Sequence, residues 1–182
     1  MLSLVLLTAA ASAQQNASTQ AIGLTMYLQG GYAGIKTDLT QAAELMPEAD
    51  YGFVPSSMPE VRTYGQIFTH VAAAQFGACA VAKGVPNPNA GRDLEQELTT
   101  KARIVTVLAD SFAFCDEAFS FLTESNATEL VKQGRREIAR SAVLVGILAH
   151  GAEMYGISTV YLRAKNLVPP STERQLQRQR SR

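Results

Sequence analysis

Apolar side chains recur at intervals of three and four residues in four stretches of this chain, the spacing that lines them along one face of a helix. The stretches cover residues 18–45, 61–83 and 100–122, and the last runs from a start between residues 128 and 138 to residue 166. No run of alternating apolar and polar residues is long enough to predict a sheet. The pattern therefore predicts an all-α chain with four long helices.

The connections between these helices differ in kind. Residues 46–60 contain Pro47, Pro55 and Pro59, which interrupt any helix and indicate a structured loop. Residues 84–98 have no clear period, and a connection of this length is long for two helices that turn back on each other. The chain is therefore predicted to form a four-helix bundle with a long crossover between the second and third helices.

The composition fits one soluble domain. Hydrophobic residues make up 47% of the 182 residues and charged residues 18%, which is enough apolar material for a buried core. Sixteen basic side chains balance sixteen acidic ones, so no overall field attracts nucleic acid or an anionic membrane. A nucleic-acid partner is therefore not expected.

The first residues have the features of a secretory signal peptide. An apolar run over residues 2–11 is too short to span a bilayer, and it leads to Ala11-Ser12-Ala13, small residues at the spacing that signal peptidase requires. No basic residue precedes this run, and an ordinary apolar helix start is the alternative. We expect residues 1–13 to be removed, leaving residues 14–182 periplasmic or secreted without a stable membrane span.

The last twelve residues, STERQLQRQRSR, carry a local positive charge from four arginines against a single glutamate. Leu176 is the only sizeable apolar residue in this tail, and it cannot bury enough surface to order it. We therefore expect residues 14–170 to form the bundle and residues 171–182 to be a disordered, arginine-rich tail. Phosphate binding by the tail is a less favoured alternative.

The chain contains two histidines, His70 in the second predicted helix and His150 in the fourth, each within an otherwise apolar stretch. A buried imidazole needs a hydrogen bond, a metal ion or water, because burying it without a partner is costly. Taken singly, each histidine fits a hydrogen-bonded core residue better than a ligand. Taken together, the pair predicts a metal site, since bundles build such sites from side chains on facing helices.

Two further candidate ligands, Glu153 and Met154, lie three and four residues after His150 on the same face of the predicted helix. Glutamate with two histidines suits Fe(II), Mn(II) or Zn(II), whereas a methionine thioether prefers soft ions such as Cu(I). The candidate metal ligands are therefore His70, His150, Glu153 and Met154. The alternative is that Met154 fills the core and that Glu153 is solvated.

Two segments resemble the DinB-like superfamily, bacterial four-helix bundles that include many metalloenzymes. The segment PEADYGFVPSSMPEVRTYGQIFTHVAAAQFG resembles a proline-rich approach to a helix whose histidine is the first metal ligand, here His70. The segment HGAEMYGISTVYLRAKNLVPPS resembles a helix with two histidines four residues apart, of which His150 matches the first. Met154 replaces the second, and Ile157 stands where the family usually has a polar residue. Three further positions match the family: Gly156, Tyr161 and Arg163.

This resemblance implies an up-down-down-up bundle whose site for a divalent ion, Zn, Ni, Fe or Mn, is altered by the loss of one histidine. Better-understood relatives are thiol transferases and isomerases in which the metal lowers the pKa of a small thiol. The resemblance thus implies a metal-dependent hydrolase or thiol-transferase relative that acts on a small molecule, and it allows a homodimer. The alternative is a non-catalytic ligand-binding or interaction module that keeps the fold without the metal. The apolar cleft of such a module would be lined by four side chains: Tyr51, Phe68, Met154 and Tyr155.

Cys79 and Cys115 form an even pair, which an exported protein can oxidise to a disulfide. If the second and third helices formed a tight antiparallel hairpin, the two residues would lie roughly 20 Å apart along the axis. In the arrangement that the resemblance implies, these helices are parallel and the cysteines stand at similar depths. A disulfide and a pair of buried free thiols remain equally open.

Overall fold

The computed structural model describes residues 21–182, so the predicted signal peptide lies outside the described residues. Four long helices follow the predicted order: α1 (Leu24–Leu45), α2 (Tyr64–Lys83), α4 (Lys101–Phe121) and α5 (Arg140–Ala164). The shorter elements are a 3-10 turn (Glu48–Asp50), α3 (Leu94–Glu97), β1 (Leu130–Gln133), β2 (Arg136–Ala139) and α6 (Pro170–Arg180). Because β1 and β2 form the only sheet within residues 21–182, the predicted all-α class is confirmed.

Local capping determines where α2 begins and ends. The Thr63 side chain accepts a hydrogen bond from the Gln66 backbone N–H, and the Gln66 side chain accepts one from the Thr63 N–H. Gly84 ends the helix in the left-handed region, with a φ of 69°, which glycine adopts without strain. The helix therefore begins at Tyr64, three residues after the predicted start at Val61, and it ends before Gly84, as predicted.

Removing the cap of α2 tests this local interaction. We expect Thr63→Ala to lower the free energy of unfolding by about 1 kcal/mol, because the Gln66 N–H loses its acceptor. Thr100 is a matched control, since it is the N-cap residue of α4 but accepts no side-chain hydrogen bond there. Urea denaturation should give a much smaller loss for Thr100→Ala, and equal losses would contradict the role assigned to the Thr63 hydroxyl.

Helices α2 and α4 lie side by side and run in the same direction. The Ser111 hydroxyl of α4 donates to the Gln75 side chain of α2, and one turn further along both helices Cys79 meets Cys115. Helix α1 packs against α4 and α5, and α2 packs against the same two helices from the other side. The segment between α2 and α4 therefore crosses over along the length of the bundle.

The other two pairings are consistent with this order. Helix α1 runs antiparallel to α4, because Gln29 near its start bonds to the Phe119 carbonyl while Lys101 at the start of α4 donates to the Glu44 carbonyl. Helix α5 runs antiparallel to α2, since the start of α2 meets the end of α5 through the rings of Tyr64 and Tyr161. The bundle is thus up-down-down-up, as the resemblance implied.

Cys79 and Cys115 form a disulfide that joins α2 to α4, with their Cα atoms 5.3 Å apart. Both residues are fully buried. Of the two alternatives that the sequence left open, the structure has the disulfide. The parallel direction of the two helices places the sulfur atoms at the same level of the bundle.

The last long helix was predicted to begin between residues 128 and 138, but α5 begins at Arg140. Residues 130–139 form a hairpin instead, in which Leu130 pairs with Ala139 and Gln133 with Arg136. Gly134 takes a φ of 62° in the turn, a conformation that ends any helix here. Each strand has only four residues, which is too short for an alternating pattern to be recognised in the sequence.

The expectation that residues 171–182 are disordered is wrong as far as Arg180, because these residues belong to α6. Pro170 occupies the first turn, where its fixed φ favours a helix start. Arg174 donates to Asp38 and Gln41, so the tail is held against α1 by charge and hydrogen bonds. The prediction of disorder was based only on the few apolar residues in the tail, and it did not include these polar contacts with α1.

Helix α5 is the one helix in the described part of the chain that is long and apolar enough to cross a membrane, judged by length and composition. Its inner face packs against α1 and α2. Its outer face carries exposed apolar side chains, including Val145 and Val160. Homodimer formation remains a prediction.

Candidate histidine site

His70 of α2 and His150 of α5 lie against each other at the contact between these helices. Their ring centres are 5.0 Å apart, with the ring planes inclined at 57°. Both side chains are half-buried, so the pair is open to solvent on one side. The structure therefore brings together the two histidines that the sequence singled out.

Glu95 of α3 holds the His70 ring in place. Its carboxylate lies 2.9 Å from His70 Nδ1 through one oxygen and accepts a hydrogen bond from Arg62 Nε at 2.9 Å through the other. In a neutral imidazole, a carboxylate next to Nδ1 favours the tautomer that carries its proton there, and Nε2 is then the nitrogen with the free lone pair. The main chain of Arg62 is fixed in turn, because its carbonyl accepts a hydrogen bond from the Tyr161 hydroxyl.

Glu95 was missed in the sequence because residues 84–98 read as a connection without a period. Its position depends on α3, a helix of only four residues. Asp93 begins this helix by accepting hydrogen bonds from the Glu95 and Gln96 N–H groups. An aspartate followed three residues later by a glutamine was the one local signal for this short helix.

The pKa of His150 is lowered below its usual value. Burial contributes most, because it disfavours the charged ring; the neighbouring His70 lowers the pKa further, Glu153 opposes the shift, and Arg62 adds a smaller lowering. His150 is therefore a neutral imidazole at neutral pH, the form that can ligate a metal.

This shift makes stability depend on pH. A histidine whose folded-state pKa lies below the unfolded value of about 6.5 loses stability as the pH falls below that value toward the folded pKa. We expect the free energy of unfolding to fall more steeply between about pH 7 and pH 5 in the metal-free wild type than in His150→Gln. Urea titrations across this range check this, and parallel curves for the two proteins would contradict it.

Within the part of the chain that the structure describes, the site lacks a third conventional metal ligand beside the two histidines. Glu153 is solvent-exposed on α5, whereas Met154 is buried. Both oxygens of Glu95 are already engaged, by His70 and Arg62. Among residues 21–182, no three His, Cys, Asp or Glu side chains are placed so that they could share an ion. The histidine pair is thus incomplete as a conventional site.

The pair itself fits an ion. A metal bound at about 2.0 Å from an imidazole nitrogen lies about 3 Å from the ring centre, so rings that share an ion have centres up to about 6 Å apart. The observed separation of 5.0 Å is within that reach. Glu95 also supplies the carboxylate that commonly orients a ligating histidine. The residues present therefore fit a two-histidine site that needs a further ligand.

The apolar cleft of the alternative interpretation is not formed, because its four side chains are buried in the core: Tyr51, Phe68, Met154 and Tyr155. Tyr51 and Tyr155 also use their hydroxyls within the fold, on the Ala43 carbonyl and the Ser171 hydroxyl. Grooves of about 870 Å³ and 690 Å³ lie on the α1–α4 and α1–α5 faces, and neither groove is lined by a histidine.

The sequence matches the family model described as the DinB superfamily over residues 35–156. This match covers the second half of α1, all of α2 and α4, and α5 as far as Gly156, including both histidines. No curated protein sequence gives a significant match.

Several solved structures are similar to this fold. A DinB-like protein from Bacillus cereus ATCC 10987 has a TM-score of 0.63 and 15% identity, covering 79% of this chain and 93% of its own. A DinB-like protein from Bacillus subtilis has a TM-score of 0.61 and 14% identity, covering 77% and 92%. A mycothiol-dependent maleylpyruvate isomerase has a TM-score of 0.57 and 15% identity, covering 72% of this chain and 59% of its own. At these identities the likeness concerns the fold alone.

Proposed function

Because this chain belongs to the DinB superfamily, we propose that it binds a transition-metal ion between His70 and His150, at a site left open to water or a small thiol. The observation that supports this most is the 5.0 Å contact of the two rings, with Glu95 on His70 Nδ1. Helix bundles build metal sites from side chains on facing helices, and His70 and His150 lie on such a pair.

Each residue of the cluster has a separate part in this proposal. Glu95 holds the Nδ1 proton of His70, so that Nε2 is available to the ion. His150 stays neutral near pH 7 because burial lowers its pKa. When bound, an ion in such a site lowers the pKa of a coordinated water or thiol and so makes a nucleophile available near neutral pH.

The thiol part of the proposal draws on one structural relative. That protein is a mycothiol-dependent maleylpyruvate isomerase, and it shares this fold over 72% of the present chain. A low-molecular-weight thiol is therefore the first external ligand to test. The second candidate, a non-catalytic module without metal, is favoured by the absence of a third conventional ligand within residues 21–182.

We also propose that the protein is exported. Its buried disulfide supports this, because such bonds persist in oxidising compartments outside the cytoplasm. Expression in a bacterial host should give a periplasmic product whose intact mass is that of a chain beginning at Gln14. A cytoplasmic product of full length would contradict the export proposal and leave the metal proposal untouched.

Metal content tests the proposed function directly. We expect the protein, purified without a histidine tag and incubated with zinc, nickel or copper, to retain close to one equivalent of an ion by inductively coupled plasma mass spectrometry. His70→Ala and His150→Ala should each lose it, because one remaining histidine cannot hold an ion tightly. Circular dichroism confirms that both variants remain helical. Retained uptake in both variants would contradict the site, and no uptake by the wild type would favour the metal-free module.

The positioning role of Glu95 has a matched control on the same short helix. We expect Glu95→Gln to weaken metal binding by about tenfold to a hundredfold, because the ring of His70 loses its carboxylate partner. Glu97 is also acidic but pairs with Arg92, away from the histidines. Glu97→Gln should therefore bind metal like the wild type in isothermal titration calorimetry, and equal losses would remove Glu95 from the site.

A further inference from the structure

We infer that Met154 is the third ligand of the histidine pair and that the site selects copper(I) over zinc and nickel. This inference rests on the proposed function and names the ion that its site would hold. It departs from the conventional ligand set of histidines and carboxylates, which residues 21–182 do not complete.

The position of Met154 carries the inference. It follows His150 by four residues, which places both side chains on one face of α5, one turn apart. Met154 is 6% exposed and belongs to the hydrophobic core, so its thioether lies inside the bundle next to the half-buried turn that carries His150. Glu153, the other candidate, is exposed to solvent and would have to leave water to reach an ion.

The remaining carboxylate at the cluster is already committed. Glu95 uses one oxygen on His70 and the other on Arg62, so ligating an ion would break one of these contacts. Displacing it from Arg62 would also leave a half-buried guanidinium without its partner. The donors that remain are two imidazoles and a thioether.

This donor set has a clear preference among ions. Thioether sulfur is a soft ligand that selects Cu(I), and imidazole suits copper as well as zinc. All three donors are neutral, so a monovalent ion leaves less uncompensated charge in a half-buried site than a divalent ion does. The geometry thus favours a Cu(I) site built from His70, His150 and Met154.

Three variants and two ions test the inference. Cu(I) affinity is measured anaerobically by competition with bicinchoninate, using ascorbate so that the disulfide is not reduced by a thiol. Zn(II) affinity is measured by competition with a chromogenic zinc chelator. Met154→Leu keeps an apolar side chain of similar volume, Met154→His offers a third imidazole, and Met46→Leu is the control at a buried methionine in the loop after α1.

The expected result is a Cu(I) affinity at least tenfold weaker in Met154→Leu than in the wild type, with Zn(II) affinity unchanged. Met154→His should bind Zn(II) at least tenfold more tightly than the wild type, and Met46→Leu should match the wild type for both ions. In the copper-loaded wild type, X-ray absorption should contain a sulfur shell at about 2.3 Å, the usual metal–sulfur distance. This measurement needs no variant, so it remains decisive if a substitution at residue 154 unfolds the bundle.

Failure of this inference can be distinguished from failure of the proposed function. Binding of zinc or nickel that needs both histidines, together with Cu(I) binding that Met154→Leu leaves unchanged, would overturn the role of Met154 and keep the proposed function. A copper-loaded wild type with nitrogen and oxygen neighbours only would do the same. Absence of any bound ion in the wild type would overturn both.

Discussion

The double variant Cys79→Ala, Cys115→Ala is expected to lower the free energy of unfolding by about 4 kcal/mol. The disulfide links residues 36 apart, and closing a loop of that length removes entropy from the unfolded chain worth about this amount. Both cysteines are fully buried between α2 and α4, so truncation also removes packing at the centre of the bundle. For a domain of this size the melting temperature should fall by about 10 °C or more.

Differential scanning calorimetry at fixed pH and protein concentration measures this loss. The two single variants are the controls, because either one breaks the bond and each should lose nearly as much as the double variant. A double variant within about 1 kcal/mol of the wild type would mean that the bond constrains the unfolded chain far less than its loop length implies.

The close approach of α1 and α5 gives the second large effect. A Cβ atom built at Gly151 would lie 2.6 Å from Ile35 Cγ2, a β-branched methyl group that cannot easily move away. Gly151→Leu should therefore force the two helices apart and lower the free energy of unfolding by about 3 kcal/mol, the upper part of the range for overpacking. His150 precedes this glycine, so the variant should also move the histidine pair and weaken metal uptake.

Gly146 is the matched control one and a half turns earlier in α5. A Cβ atom there meets nothing within 4 Å, so Gly146→Leu adds a good helix former to an exposed position. We expect this variant to be as stable as the wild type or more stable by up to about 1 kcal/mol in urea denaturation. A smaller loss in Gly151→Leu than in Gly146→Leu would contradict the close packing of α1 on α5.

The long helices could be predicted because each buries a continuous face, and this leaves a period of three and four in the residues themselves. The end of α2 could also be predicted from one local residue, because Gly84 adopts the left-handed conformation that ends the helix. The crossover followed from the length of a stretch without period. The pairing of His70 with His150 was predictable in kind, because the chain has no other histidines and both lie within long helices.

The parts that the sequence did not predict are held by contacts between distant segments. Helix α6 is attached to α1 by the contact of Arg174 with Asp38, more than a hundred residues away in the sequence. No local sequence pattern predicts such a pair. The hairpin over residues 130–139 depends on a turn at Gly134 and on four-residue strands. Glu95 reaches His70 only because the crossover returns along α2, so its role follows from topology and not from spacing.

The attachment of His70 to a four-residue helix couples the order of one imidazole ring to the local stability of the crossover. The Asp93 cap, the buried Leu94 and the Arg62–Glu95 pair hold this single helical turn, and opening it locally costs less free energy than unfolding the whole bundle. Each opening withdraws Glu95 and frees the His70 ring to rotate, so the ligand-ready orientation is a population and not a fixed state. An ion that bound only this orientation would hold the crossover closed, and the local dynamics of α3 would then report whether the site is occupied.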